Sequence, residues 1–262
     1  MRYILLALTI VAWAVSASAA DTELIKPART ALQQPDPEGV LFVGNSYFYY
    51  NDSLHNHVRR ILAELRPGMH TRYKSSTIGG ARLRHHNLNY LLTPGQIGID
   101  KPFQLVVLAA ASSEPLRTDT VQRFHADVDL AARQVRQAGA ELALYMTHAY
   151  VEPHPNVHVD NFVKTYQAYV AAGNRVGALV IPVGLAFEHA YQERPDIGLH
   201  EFFDGTHPSV RGTYLAACVV VASVYGISPQ GAEYDAYGEV SAADAGFLQT
   251  IAWTTVREFY AQ

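Results

Sequence analysis

The chain has 262 residues, 49% of them apolar and 17% charged, with a formal net charge of −4. That is enough apolar chain for a sizeable core, and the mild acidity, with no basic block or stripe, argues against a nucleic-acid partner. One cysteine, Cys218, lies in the apolar run YLAACVVVASVYG, so no internal disulfide can form and the thiol reads as a small packed hydrophobe.

The first twenty residues, MRYILLALTIVAWAVSASAA, carry one early positive charge (Arg2), an apolar stretch from Ile4 to Val15, and small residues from Ala17 to Ala20. This is the layout of a secretory signal, too short and wrongly flanked for a permanent membrane span. Cleavage after Ala19 or Ala20 would leave an exported chain, secreted or periplasmic, with no membrane span. Residues 21–38 (DTELIKPARTALQQPDPE) are polar and Pro-containing and read as an extended lead-in to a single domain over residues 39–262.

Within that domain, short apolar runs alternate with longer amphipathic ones. GVLFVG (39–44), TRYKSST (71–77), FQLVVLAAA (103–111), ELALYMTH (141–148) and GALVIPVG (177–184) each suit a strand, the last three covered on both faces. Helical periodicity marks 53–65, where Leu54, Val58, Ile61, Leu62 and Leu65 share a face, then 120–139, 161–177, 209–226 and 241–260. Asp52 and Ser53 read as the cap of the first. The last helix is expected to pack on the sheet rather than close over a cleft. Strand and helix alternating throughout mean a doubly wound α/β sandwich around a mostly parallel sheet, which binds ligands at the carboxyl ends of its strands.

Ser46, in VGNS at the end of the first strand, stands on that rim. A serine there is a turn residue, a helix cap or a nucleophile, and the third reading needs a base and an orienting acid. EFFDGTHPSVRG (201–212) offers both: Asp204 and His207 stand three apart just before a helix that Pro208 and Ser209 open. A short turn lets the carboxylate take the Nδ1 proton and leaves Nε2 facing outward as a base. On its own, D-x-x-H is also compatible with a plain helix-entry turn.

Taken together, Val43-Gly44-Asn45-Ser46 and Asp204-Gly205-Thr206-His207-Pro208, with Gly212 early in the following helix, resemble the first and last blocks of the SGNH (GDSL-type) hydrolase superfamily. The resemblance covers roughly residues 38–226. It implies a three-layer flavodoxin-like sandwich with a five-stranded sheet, and a catalytic set of Ser46, Asp204 and His207. It also implies oxyanion donors from the N–H of Ser46 and of Gly79 or Gly80, in STIGGARL after the second strand. The sequence departs from the family in the third block, where G-x-N-D is expected and LAAASSEPL (108–116) stands. Ser112 or Ser113 is the nearest replacement donor, with Asn45 as a further one.

Asn45, Tyr47, Arg82 and His200 are read as substrate-lining residues, and the Tyr47/Tyr49/Tyr50 cluster either stacks on substrate or wedges the first loop. The twelve histidines include HH at 85–86 and a pair at 154 and 158, but no convincing metal-ligand set. No G-x-G-x-x-G or P-loop context suggests a nucleotide, so neither metal nor cofactor is expected. The resemblance and the export signal imply a serine esterase or deacylase acting on an O-acetylated saccharide. The alternatives are a general short-chain or lipid esterase, and a carbohydrate-binding module on the same fold.

Overall fold

The structure, a computed structural model, describes residues 24–261; the signal expected at residues 1–20 lies outside them. Five strands form the sheet: β1 (Gly39–Gly44), β2 (Arg72–Thr77), β3 (Leu105–Leu108), β4 (Glu141–Tyr145) and β5 (Leu179–Ile181). The α-helices are α1 (Ser46–Tyr49), α2 (Leu54–Leu65), α3 (Leu88–Leu92), α4 (Thr118–Gln137), α5 (Asn161–Val176), α6 (Val183–Glu193), α7 (Val210–Tyr225) and α8 (Ala242–Ala261). The strand order is β2-β1-β3-β4-β5 and every pairing is parallel. This is the expected three-layer, flavodoxin-like sandwich.

Period-two alternation divides the core. Val40, Phe42, Leu105, Val107, Ala143 and Tyr145 face the layer of α2, α7 and α8. Leu41, Val43, Val106, Leu108, Leu142 and Leu144 face α3, α4 and α5. Helix α7 is apolar all round because it is buried all round, between the sheet, α2 and α8. Cys218 at its centre is fully buried, and that burial pushes its thiol pKa up, leaving an inert core residue. Helix α8 packs on α6 and α7.

The lead-in runs along the amino end of the sheet. The Glu141 carboxylate accepts the N–H groups of Gln33 and Gln34 (2.9 and 2.8 Å) and pairs with Arg29. Asn174 holds Ala28 and Lys26.

Three expectations are corrected. The run 177–184 is not one strand: β5 ends at Ile181 because Pro182 has no N–H for the ladder, and Val183 opens α6. Gly184 lets that helix approach the loop after β4, since a Cβ would come within 2.3 Å of Thr147 O. Strands β3 and β4 stop at Leu108 and Tyr145, earlier than their apolar runs, which frees residues 109–113 and 146–150 as rim loops. Finally, Ser53 precedes α2 but its side chain makes no cap bond; its main-chain carbonyl takes the Asn56 N–H instead (2.9 Å).

Candidate active site

Ser46 is presented by a sharp exit from β1. Gly44 is required there because a Cβ would meet the Phe48 ring at 2.9 Å. Asn45 then caps α1, its Oδ1 accepting the Tyr47 N–H (3.2 Å). Its amide nitrogen donates to Ala81 O (3.2 Å) and Ala110 O (3.0 Å), so one buried side chain ties β1 to the loops after both neighbouring strands. Both N–H bonds of that amide are used. Asn45 therefore serves the scaffold and is not free to meet substrate or an oxyanion.

The Ser46 hydroxyl donates to His207 Nε2 at 2.9 Å, and His207 Nδ1–H donates to Asp204 Oδ2 at 2.6 Å. The other Asp204 oxygen accepts the N–H groups of Thr206 (2.9 Å) and His207 (3.0 Å). Burial would raise the Asp204 pKa, but these hydrogen bonds outweigh it and hold the carboxyl below its ordinary value. Gly205 makes the turn possible: its φ is +62°, and a Cβ would come within 2.0 Å of Val151 O. Val151 N–H returns a bond to Gly205 O (2.9 Å), clamping the turn to the loop after β4. The Tyr50 ring stacks on the His207 imidazole, with centroids 4.2 Å apart and planes within 7°.

A second tie joins the serine side to the histidine side. Asn51, Asp52 and Ser53 all have positive φ (53°, 64° and 65°), which costs about 1 kcal/mol or more per non-glycine residue. The turn is held by Asn51, whose amide donates to Pro208 O (2.9 Å) and Thr213 Oγ1 (2.8 Å), and by His57 Nε2–H donating to Asn51 O (2.5 Å). These bonds tie the turn after α1 to Pro208 and to the start of α7.

The donor side is built from the turns after β2 and β3. Ile78 N–H bonds Gly44 O and Ala81 N–H bonds Ile78 O (both 3.1 Å), making a tight turn with Gly80 at φ +65°. The N–H groups of Gly79 and Gly80 have no hydrogen-bond partner among the described residues. A Cβ on Gly79 would lie 3.2 Å from the Tyr49 hydroxyl, so this turn sits beside α1. After β3, Ala111 N–H is capped by Glu114 Oε2 (3.0 Å). Glu114 is 1% exposed; its Oε1 makes no hydrogen bond and lies 3.8 Å from Arg82 Nε. Burial raises the Glu114 pKa, offset in part by the Ala111 N–H and Arg82. Ser112 Oγ bonds the Tyr150 hydroxyl at 2.9 Å. Ser113 is exposed.

Two residues expected to line the cleft are packed inward. His200 is buried, with Nε2 on Ala149 O (2.9 Å) and Nδ1 on the Tyr191 hydroxyl (2.8 Å); burial pushes its pKa down to about 4. Tyr47 is 4% exposed, bonded to Thr206 Oγ1 (2.7 Å) and stacked on His148 (4.4 Å), so it wedges the loop, as one reading of the tyrosine cluster had it. Arg82 stays part-exposed and is drawn toward Glu114. His154 stacks on Tyr150 and His158 pairs with Asp160. Among the described residues, no three His, Cys, Asp or Glu side chains converge as a metal-ligand set, and no helix is long and apolar enough to cross a membrane.

Sequence reasoning missed His148, Tyr150, Glu114 and Asn51. His148 is buried between Tyr47 and Phe187, with its Nε2–H on Thr206 O (2.8 Å). Burial, aided by neighbouring His200, holds its pKa well below the ordinary value. The one available signal was position: Thr147–Tyr150 follow the fourth strand on the carboxyl rim.

The fold is that of the SGNH/GDSL-type hydrolases. A candidate SGNH hydrolase from Slackia heliotrinireducens superposes with a TM-score of 0.55 at 24% identity, over 71% of this chain and 97% of its own. A DUF4886 family protein from Bacteroides uniformis gives 0.65 at 18%, over 84% and 94%. An acetylxylan esterase from Geobacillus stearothermophilus gives 0.55 at 15%, over 74% and 96%. No family model and no curated protein matches the chain.

Proposed function

We propose that this chain is an exported serine esterase that cleaves carboxylic esters through an acyl-enzyme. The observation that carries the reading is the unbroken hydrogen-bonded line from Ser46 Oγ through His207 to Asp204. Ser46 attacks the acyl carbonyl while His207 Nε2 takes its proton. Asp204 holds the imidazole tautomer and stabilises the imidazolium. His207 then protonates the leaving alcohol, and water, deprotonated by the same nitrogen, releases the acid. The N–H groups of Ser46 and of Gly79 or Gly80, with the Ser112 hydroxyl in place of the absent Asn, stabilise the oxyanion. No metal or cofactor takes part in this reading.

An O-acetylated saccharide is the proposed substrate, supported by the expected export and by the acetylxylan esterase among the structural neighbours. A lost-activity binding module is disfavoured because Ser46 bonds its base rather than turning away from it.

The test is release of acetate from acetylated xylo-oligosaccharides, beside 4-nitrophenyl acetate and a long-chain 4-nitrophenyl ester. Release from the sugars, lost in Ser46→Ala, supports the reading. Turnover of the long-chain ester alone would replace the saccharide with a lipid, and inactivity on all three would refute an esterase.

A further inference from the structure

We propose that the hydrogen bond between the Tyr150 hydroxyl and Ser112 Oγ makes Ser112 the oxyanion donor that the third block otherwise lacks, with Tyr150 as its positioning residue. The proposal rests on the esterase reading. It adds to that reading a defined source for the missing donor.

Each hydroxyl has one proton to give and two lone pairs to accept. Ser112 Oγ and the Tyr150 hydroxyl are 2.9 Å apart, so one of them donates to the other. Phenols are stronger hydrogen-bond donors than aliphatic alcohols. The favoured arrangement therefore has Tyr150 donating to Ser112, which leaves the Ser112 proton free to point elsewhere. A hydroxyl whose oxygen accepts a hydrogen bond is polarised and donates more strongly. Burial raises the Tyr150 pKa, so the phenol keeps its proton at neutral pH.

Access and rigidity point to Ser112 as the outward donor of this pair. Tyr150 is buried, whereas Ser112 is part-exposed. Ser112 follows β3, the strand beside β1, two residues after the Ala110 carbonyl that Asn45 grips. It therefore stands on the same rim as Ser46. Tyr150 is 8% exposed and its ring stacks on His154 at 3.7 Å, so the phenol is held in place. Its neighbour Val151 bonds Gly205, which keeps the pair in register with the Asp204–His207 turn.

The test measures kcat and KM on 4-nitrophenyl acetate for the wild type, Ser112→Ala, Tyr150→Phe and the double variant, with a thermal melt for each. Ser112→Ala should lower kcat about 100-fold with KM little changed. Tyr150→Phe should lower kcat about fivefold. In the Ser112→Ala background Tyr150→Phe should cost nothing more, because Tyr150 acts only through Ser112. Ser112→Thr should keep most of kcat while the isosteric Ser112→Val loses it, a pair that separates hydroxyl from packing. Full activity of Ser112→Ala or Ser112→Val, or a Tyr150→Phe loss that multiplies in the double variant, would overturn this proposal alone. A folded wild type inactive on every ester would overturn the esterase reading and this proposal with it.

Discussion

The two sides of Ser46 are built differently. On the base side, Asp204, Gly205, Thr206 and His207 form one four-residue turn that makes its own hydrogen bonds and is clamped by Val151. On the donor side, no single turn suffices: Asn45, Ala110, Ser112, Glu114, Arg82 and Tyr150 come from four separate loops. The base side is fixed by local backbone geometry and the donor side by long-range contacts between side chains. On the proposed reading, the first tolerates almost no substitution, whereas the second can exchange one donor for another, with Ser112 standing in for the third-block Asn.

The sharpest break in this comparison comes from the base side. Asp204→Asn should lower kcat by about 10^4-fold, since the amide can present an N–H to the ring and favour the wrong tautomer. Steady-state kinetics with melting curves beside the wild type separates this from unfolding. Gly205→Ala is next: with φ at +62° and Val151 O 2.0 Å from the new Cβ, the turn has to open. A loss of about 4 kcal/mol or more is expected in urea denaturation.

Acid should sharpen the contrast through His200, which underlies the base side. Its folded pKa of about 4 lies below the ordinary histidine value, so the unfolded chain takes up a proton that the folded chain refuses. This contribution to stability is complete above roughly pH 6.5 and falls as pH drops toward 4, by roughly 3 kcal/mol in all. His148 acts in the same direction. The lowered Asp204 pKa adds a further loss below the ordinary carboxylate range. Melting curves across this range should show the fall, and His200→Gln, whose amide can keep the bond to Ala149 O without titrating, should flatten it; an unchanged slope would contradict the assignment. On the donor side, Asn45→Ala should cost about 2 kcal/mol by stranding the Ala81 and Ala110 carbonyls, as read by chemical denaturation.

The same contrast explains what could be read from the sequence. Asp204 and His207 were legible as a pair because a three-residue turn joins them; Ser46, 161 positions from His207, was legible because VGNS and the D-x-x-H run together resemble the first and last SGNH blocks. Tyr150 was not, because it meets Ser112 across 38 positions. Glu114 looked like an ordinary loop carboxylate, with nothing nearby to suggest that it would be buried against Ala111. His200 was misplaced for the opposite reason: nearness to Asp204 in the chain suggested the cleft, while Tyr191 and Ala149 turn its ring inward. The doubly wound α/β class followed from the alternation of strands and helices. The start of α6 was lost because an unbroken apolar run has no period to show where a strand ends and a helix begins.

The central claim is that Ser46 is an activated nucleophile. The most direct measurement is covalent labelling of the folded protein with a fluorophosphonate probe, mapped by peptide mass spectrometry. The account predicts one modified residue, Ser46, with labelling abolished in Ser46→Ala and in His207→Ala. Labelling elsewhere, or none in protein whose melting curve shows it folded, would contradict it.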